Sequence, residues 1–311
     1  MNSIKQPPII IFGQNSIINY DFPKNVLLIS SSGANSRGWI KYLNLKNYFL
    51  FENVESNPSM STVELIISKF KNKNFDYVIG LGGGSVLDVA KFVGYKLNKP
   101  KILISTTFGS GSEVTRISVL KIDGKKTSFH NDDLFADIAI VDPFFIKSTP
   151  IEIIKNSAID ACAQCSEAYD SKISNEYTKF LCKKAFSILE KALIEKNYED
   201  LAYGAMISGL GFGNSSTTFG HALSYVFSNE GISHGHALAF TTTLAHKFNN
   251  SIFYERFLNL IKLLDFKNIT LKEDFSIAAD LILTDHKHID NNPNPILKSD
   301  IVKILKIINN G

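Results

Sequence analysis

The stretch "IGLGGGSVLDVAK" (Ile79–Lys91) runs from an apolar, strand-like segment through three consecutive glycines into a segment with helical spacing. Gly82, Gly83 and Gly84 have no Cβ atoms, so a phosphate can approach their backbone closely. Ser85 is predicted to cap the helix, whose first amide groups would then face an anion. The stretch therefore predicts a phosphate-binding turn, and a turn that is merely tight is the simpler alternative.

Strand-length apolar runs on both sides of this turn extend the same pattern. They are "PIIIF" (8–12), "VLLIS" (26–30), "YFLF" (48–51), "YVIGLG" (77–82), "KILIS" (101–105) and "ADIAIVD" (136–142). A hairpin is predicted from "RISVLKI" (116–122) and "TSFH" (127–130), with its turn at Asp123-Gly124. Because strands alternate with helical stretches, the first part of the chain is predicted to be a parallel sheet covered by helices.

The pattern changes after Pro143, where apolar residues recur at helical spacing with little strand signal. We therefore predict an α/β domain over 1–149 and an all-helical domain over 150–311. A length of 311 residues with 44% hydrophobic and 20% charged residues is typical of a globular chain of this size. A net charge of +3 without a basic block argues against a nucleic-acid partner. Every apolar run is shorter than about 18 residues, so neither a signal peptide nor a membrane span is expected and a cytoplasmic location is predicted.

Two groups of polar residues are candidates for a functional site. The segment "STTFGSGSEVT" (105–115) follows a predicted strand, at the end of a sheet where α/β proteins bind ligands, and a surface loop is the alternative. In the helical part, Asp160, His221 and His234 have the long-range spacing of a metal or catalytic site. A single histidine is more often a hydrogen-bonded structural residue than a ligand, so a structural role for these histidines is the alternative. His236 follows His234 by two residues and could point elsewhere. The other four histidines are predicted to lie on the surface or in loops: His130, His246, His286 and His288.

The segment "IDACAQCSEAY" (159–169) contains a Cys-x-x-Cys pair that has the spacing of a redox or zinc motif. Asp160 and Gln164 are four residues apart and therefore share one helix face. Cys162 and Cys165 point to other faces, and we predict that they are buried packing residues.

Five segments resemble the iron-containing alcohol dehydrogenase family in sequence and order. They are "GGGSVLDVAK" (82–91), "TTFGSGSEVT" (106–115), "DPFFIKSTP" (142–150), "AIDACAQCSEAY" (158–169) and "GHALSYVFSNEGISHGHA" (220–237). The resemblance spans about 57–240, with weaker agreement at 291–305. It implies a Rossmann-like α/β N-terminal domain followed by an all-α C-terminal domain, the architecture shared with dehydroquinate synthase. It also implies NADPH or NADH as cofactor. The residues implied to bind the dinucleotide are Gly82, Gly83, Gly84, Ser85, Asp88, Thr106, Thr107 and Ser112.

The same resemblance implies a divalent metal, Fe²⁺ or Zn²⁺, held by Asp160, His221 and His234. Gln164 stands where the family usually has a fourth ligand, a histidine. Because an amide oxygen is a weaker donor than imidazole, either Gln164 or water completes the shell, or the site works without metal. Tyr225 stands where many members have a proton-relaying histidine. It is therefore either a catalytic donor beside His221 and His234 or an aromatic core residue.

These departures most resemble the phosphonoacetaldehyde reductase (hydroxyethylphosphonate dehydrogenase) branch. The implied function is reduction of phosphonoacetaldehyde to 2-hydroxyethylphosphonate by NAD(P)H, in phosphonate metabolism. A general alcohol or aldehyde dehydrogenase, a sugar- or polyol-phosphate dehydrogenase and a catalytically impaired nucleotide-binding relative are the alternatives. Family likeness implies a homodimer and a small-molecule substrate as the partners.

Charged side chains suggest how a dianionic substrate and the nucleotide would be bound. Arg116, Lys125, Lys126 and His130 are candidates for the phosphonate, although a basic surface hairpin is the simpler reading of them. The segment "ISSSGANSRG" (29–38) follows the second strand and contains Arg37 but no acidic residue. An acid at this point usually binds the ribose hydroxyls of NAD, so its absence predicts NADPH.

Overall fold

A computed structural model of the chain describes residues 3–310, which divide into two compact units, Ser3–Pro150 and 151–310. The first unit contains strands and helices, and the second contains helices. Of the helices formed by residues 3–310, none has the length and apolar character that crossing a bilayer requires.

The unit Ser3–Pro150 is built on a parallel sheet. Its strands are β1 (Ile9–Phe12), β2 (Asn25–Ser30), β3 (Asn47–Phe51), β4 (Tyr77–Gly82), β5 (Lys101–Ser105), β6 (Ile117–Ile122), β7 (Lys125–His130) and β8 (Ile138–Val141). Six of them form one sheet in the order β1-β8-β5-β4-β2-β3, and every neighbouring pair is parallel. The central strands β4 and β5 are almost completely buried, as expected of apolar strands covered on both faces. The predicted α/β architecture is confirmed.

Helices and a hairpin complete this unit. The helices are α1 (Ser32–Ser36), α2 (Trp39–Tyr42), α3 (Met60–Phe70) and α4 (Gly84–Lys96), with short 3₁₀ helices at Ser112–Val114, Asp132–Leu134 and Pro143–Ser148. Strands β6 and β7 pair antiparallel, apart from the main sheet. Their turn residues Asp123 and Gly124 have φ values of 49° and 78°, the left-handed conformation that a two-residue hairpin turn requires. The predicted hairpin is therefore confirmed.

Residues 151–310 form helices only, as predicted. They are α5 (Ile151–Asp170), α6 (Glu176–Glu195), α7 (Tyr198–Phe212), α8 (Phe219–Asn229), α9 (His234–Asn249), α10 (Tyr254–Leu264), α11 (Phe275–Leu283), α12 (His286–Ile289) and α13 (Lys298–Asn310). Helix α5 packs against α6, α7 and α9, and α8 packs against α9. Phe219, Leu223 and Phe227 lie one turn apart on α8 and are buried in a core cluster with Ile301 and Leu305 of α13. Each such side chain contributes about 1.5–3 kcal/mol, so this core fixes where α8 presents its other residues.

Candidate functional site

The glycine turn predicted from the sequence joins β4 directly to α4. The Thr106 backbone amide donates to the Gly82 carbonyl at 3.0 Å, which brings the segment after β5 beside this turn. A Cβ atom added to Gly83 would lie 2.9 Å from Thr107 Oγ1, and one added to Gly84 would lie 2.9 Å from the Ser110 side chain. Two polar segments at the carboxyl ends of adjacent parallel strands therefore meet, with space for backbone only. This cradle fits the pyrophosphate of a dinucleotide.

The predicted cap of α4 is wrong by two residues. Gly83 is the N-cap, with φ −78° and ψ −177°, and its lack of a side chain means that no side-chain group caps α4. Ser85 lies inside the first turn because Gly84 already has helical geometry. Gly83, Gly84 and Ser85 are partly exposed, so the first amides of α4 are accessible to an anion.

Asp88 and Ser112, both predicted to bind the cofactor, form a buried pair. Ser112 Oγ donates to Asp88 Oδ1 at 2.6 Å, and the Val119 amide donates to Asp88 Oδ2 at 2.9 Å. Lys91 Nζ lies 3.9 Å from Asp88 Oδ1 and donates to the Ile117 carbonyl. Burial raises the pKa of Asp88 and lowers the pKa of Lys91 to about 8. The pair thus links α4 to the segment that carries Thr106 and Thr107.

Three predicted metal ligands converge in the helical unit from three different helices. One donor atom each from Asp160 of α5, His221 of α8 and His234 of α9 lies within 4.8 Å of the other two. Asp160 Oδ1 is 3.8 Å from Nε2 of each histidine. Two imidazoles and one carboxylate with remaining open positions form a donor set typical of non-haem iron(II) sites.

Gln164 lies one turn after Asp160, on the same face of α5. Its Nε2 donates to Asp160 Oδ1 at 3.0 Å. Its Oε1 is buried and accepts no hydrogen bond from residues 3–310. Because buried oxygens are nearly always satisfied, this orphaned oxygen fits a fourth ligand position for a divalent ion. The residues present therefore fit a metal, and the oxygen of Gln164 is a candidate fourth ligand.

Glu167, which no sequence pattern distinguishes, forms a hydrogen bond with the Nδ1 side of His221. Glu167 Oε1 accepts from His221 Nδ1 at 3.0 Å and from Thr242 Oγ1 at 2.9 Å, and Oε2 accepts from the Thr218 amide at 2.8 Å. A carboxylate on Nδ1 fixes the tautomer that leaves Nε2 as a metal ligand. Burial opposes ionisation of both groups, yet their mutual attraction lowers the pKa of Glu167 to about 2 and raises that of His221 to about 9.

Tyr225 and His288 complete a group of rings around the predicted ligands. Tyr225 lies one turn after His221 on α8. Its ring stacks on the ring of His234, with the two ring centroids 6.3 Å apart and an interplanar angle of 9°. Burial, followed by the charges of Asp285, Asp160 and Glu167, raises the pKa of Tyr225. The phenol therefore stays protonated near neutral pH and can act as a hydrogen-bond donor.

The prediction that His246 and His288 are surface or loop histidines is wrong. His246 is buried in α9 and bonds Ser166 Oγ at 2.7 Å. His288 is only 4% exposed because α12 packs against α8, which places its ring 6.1 Å from that of His221. His130 and His286 are exposed, as predicted.

Cys162 and Cys165 are fully buried free thiols, which confirms the packing interpretation. Burial raises the pKa of both, and that of Cys165 reaches about 12, so neither is a thiolate near neutral pH.

The charged candidates for anion recognition lie in the α/β unit. Arg116 Nη1 pairs with Asp132 Oδ1 at 2.6 Å, and His130 bonds Ser128 at 2.9 Å. Lys125 and Lys126 lie on the same hairpin, in β7. The Arg37 guanidinium follows α1 and lies 5.1 Å over the Trp39 ring.

Gly235 sets the approach of α9 to α5, and therefore of His234 to Asp160. A Cβ atom at Gly235 would lie 2.0 Å from the Asn156 carbonyl oxygen, a backbone atom that cannot move aside alone. We expect Gly235→Ala to lower the free energy of unfolding by about 1–3 kcal/mol and to weaken metal binding, measured by urea unfolding and metal titration. The control is Gly204→Ala, where the three atoms nearest to the new Cβ belong to the side chains of Leu189 and Ile188 rather than to the backbone. Equal losses in the two variants would contradict this account.

Comparison with known proteins identifies the family. The family model described as iron-containing alcohol dehydrogenase matches residues 7–143, and that of the C-terminal part of the same family matches 154–280. The chain is 32% identical over 209 residues to 4-hydroxybutyrate dehydrogenase of Clostridium kluyveri and 33% identical over 220 residues to long-chain-alcohol dehydrogenase 1 of Geobacillus thermodenitrificans. These matches cover 58% and 61% of this chain, and the chain spans 56% of the length of each relative.

The solved structures include a sulfoacetaldehyde reductase from Bifidobacterium kashiwanohense in complex with NAD⁺. It superimposes with a TM-score of 0.89 at 22% identity, covering 99% of this chain and 98% of that one. At this identity the likeness concerns the fold. The two family models together span both units, and the α/β and all-helical architecture agrees with them. The chain belongs to the iron-containing alcohol dehydrogenase family.

Proposed function

We propose that the protein is a nicotinamide-dependent aldehyde reductase that interconverts an aldehyde and a primary alcohol. The observation that carries this proposal is the convergence of Asp160, His221 and His234 beside the unpartnered oxygen of Gln164. The glycine cradle after β4 supports nucleotide binding by the domain 1–149, and the ligand cluster supports metal and substrate binding by 150–311. Gly82–Ser85, Thr106 and Thr107 are the proposed nucleotide contacts, with Asp88 and Ser112 positioning them.

Asp160, His221 and His234 would hold the metal, with Gln164 as a fourth ligand. When bound, a divalent cation acts as a Lewis acid for the carbonyl oxygen, and the reduced nicotinamide is the hydride source. Glu167 keeps His221 Nε2 available as a ligand by accepting a hydrogen bond from Nδ1–H. Tyr225 remains a neutral phenol and can donate a hydrogen bond to the substrate oxygen.

The proposed substrate is phosphonoacetaldehyde, whose reduction gives 2-hydroxyethylphosphonate. Two of the names support a short substrate with an anionic end, since one relative is a 4-hydroxybutyrate dehydrogenase and one solved structure is a sulfoacetaldehyde reductase. The name of the long-chain-alcohol dehydrogenase favours the uncharged alternative. Efficient turnover of uncharged alcohols with indifference to phosphonate would instead identify a general alcohol dehydrogenase.

NADPH is the proposed reductant. The segment from Ser30 to Gly38 after β2 contains no carboxylate to repel a 2′-phosphate, and Arg37 lies within it. Comparable rates with NADH and NADPH, or a preference for NADH, would contradict this choice.

The deciding experiment measures metal content and aldehyde-dependent oxidation of NADPH and NADH before and after chelation. Phosphonoacetaldehyde, sulfoacetaldehyde and an uncharged short aldehyde are compared as substrates. We expect activity that is lost on chelation and restored by Fe²⁺ or Zn²⁺. Nucleotide binding without aldehyde-dependent turnover at any added metal would overturn the proposal and identify a catalytically impaired relative.

A further inference from the structure

Four aromatic rings, two of them on the proposed metal ligands His221 and His234, lie next to one another in the helical unit. His221 and His234 have ring centroids 5.5 Å apart, and Tyr225 lies 6.3 Å from His234. His288 closes the circuit, with its ring 5.8 Å from Tyr225 and 6.1 Å from His221. His288 comes from α12, so a fourth helix adds a side chain to the cluster formed by residues of α5, α8 and α9.

His288 is held in one tautomer by its neighbour Asp285. His288 Nδ1 lies 2.6 Å from Asp285 Oδ2, and a carboxylate can only accept this hydrogen bond. The Nδ1 atom therefore carries the proton, and Nε2 of the neutral ring presents a lone pair. The His288 side chain is only 5% exposed, so this lone pair lies within the helical unit.

The ring of Tyr225 is the neighbour of His288 at a centroid distance of 5.8 Å, and its neutral phenol offers a hydrogen-bond donor. A donor on Tyr225 and an acceptor on His288 thus belong to neighbouring rings. An alcohol hydroxyl group offers the complementary pair, since its oxygen accepts and its proton is donated.

We propose that His288 is a catalytic residue that exchanges the proton of the substrate oxygen, with Asp285 as its positioning residue. This inference rests on the proposed alcohol and aldehyde chemistry. The arrangement is that of an acid–histidine dyad, in which the carboxylate orients the imidazole and stabilises the imidazolium that forms.

The proposed step balances in both directions. In alcohol oxidation the O–H bond breaks and its proton goes to His288 Nε2. A C–H bond on the carbon that bears this oxygen also breaks, its hydride goes to the oxidised nicotinamide, and a C=O bond forms. In aldehyde reduction the carbonyl carbon gains the hydride, and the oxygen gains the proton from His288 Nε2. Throughout, the Nδ1 proton stays on His288 in a hydrogen bond to Asp285, and Asp285 itself takes up no proton.

The test is His288→Gln, which keeps a polar side chain of similar length but cannot exchange a proton. We expect kcat to fall by about 10²–10⁴-fold, the range for loss of a general acid–base group, with little change in the nucleotide KM. Fe²⁺ stoichiometry and the unfolding midpoint are expected to match the wild type. Imidazole added to His288→Ala is expected to restore part of kcat, and Asp285→Asn is expected to lower kcat by less than His288→Gln.

The matched control is His286→Gln, which makes the same change on the same helix at a side chain that is 79% exposed. A His288→Gln variant within twofold of wild-type kcat would overturn the inference and leave the reductase proposal standing. Loss of Fe²⁺ in parallel with kcat would also overturn it, because His288 would then be a ligand. A wild-type protein inactive with every aldehyde would overturn both proposals.

Discussion

Asp160→Asn is expected to abolish both stoichiometric metal binding and turnover. Asp160 Oδ1 lies 3.8 Å from Nε2 of both His221 and His234. Asp160 supplies the carboxylate of the three-ligand cluster. An asparagine keeps the shape but removes the negative charge that offsets the cation. Loss of an outer partner of a metal ligand lowers affinity by about 10–100-fold, so loss of a charged ligand itself is expected to exceed about 100-fold. Calorimetric titration of the metal-free protein with Fe²⁺ measures this change.

Asp265→Asn is the control for Asp160→Asn. Asp265 is exposed at the end of α10, in a left-handed conformation with φ 52° that asparagine also tolerates. The control is expected to bind metal as the wild type does. If Asp160→Asn bound Fe²⁺ within tenfold of the wild type, Asp160 would not be a ligand.

Glu167→Gln is expected to destabilise the helical unit and to weaken metal binding by about 10–100-fold. Every group that reaches this carboxylate is a donor, including the Thr218 amide at 2.8 Å and His221 Nδ1 at 3.0 Å. A glutamine replaces one accepting oxygen by NH₂, so two donors would then face each other in a buried space. The packing leaves no room for adjustment, because a Cβ atom on Gly220 would already lie 2.4 Å from Glu167 Oε1. Breaking a buried pair of this kind costs about 3–5 kcal/mol.

The pH dependence of the metal-free protein reports the same interaction. The pKa of His221 is raised to about 9, so the stabilisation it receives is complete below its unfolded value and is lost as pH rises through 9. The pKa of Glu167 is lowered to about 2, so the matching contribution is lost as pH falls from its unfolded value towards 2. Both pKa shifts arise from the same ion pair, so the two contributions are not added. Metal binding must displace the proton on His221, so affinity for Fe²⁺ is expected to rise over the interval in which stability declines.

Urea unfolding and Fe²⁺ titration between pH 6 and 9 measure both trends. Glu167→Gln is expected to flatten the alkaline decline, because the ion pair is gone. Glu152→Gln makes the same change on α5 at a side chain that is 72% exposed, and it is expected to leave both curves unaltered. Equal curves for Glu167→Gln and the wild type would contradict the role assigned to Glu167.

Local patterns in the sequence predict much of the fold. The apolar runs become the parallel strands β1 to β5 and β8, and Asp123-Gly124 forms the hairpin turn because only a few residue types tolerate its φ values. The cap of α4 could not be placed to the residue, since Gly83 and Gly84 adopt either conformation with equal ease.

The candidate site was only partly predictable for a different reason. Helical spacing alone places Asp160 and Gln164 on one face. By contrast, it is mainly family likeness that distinguishes His221 and His234 from structural histidines. Glu167 lies within the same stretch of α5, and no local pattern distinguishes its carboxylate from an exposed one. The position of His288 depends on the packing of α12 against α8, between residues far apart in sequence. The only local signal is the spacing of Asp285 and His288, three residues apart and within hydrogen-bonding reach on one helical turn.

The central claim is that one acid and two imidazoles of the helical unit hold a catalytic divalent cation. A crystal structure of the Fe²⁺-loaded protein, with anomalous scattering recorded at the iron edge, tests this claim most directly. We predict one strong peak at about 2.0–2.2 Å from Asp160 Oδ1, His221 Nε2 and His234 Nε2, with Gln164 Oε1 facing it. Iron bound elsewhere, or side chains at these three positions that share no ion at full loading, would contradict the claim.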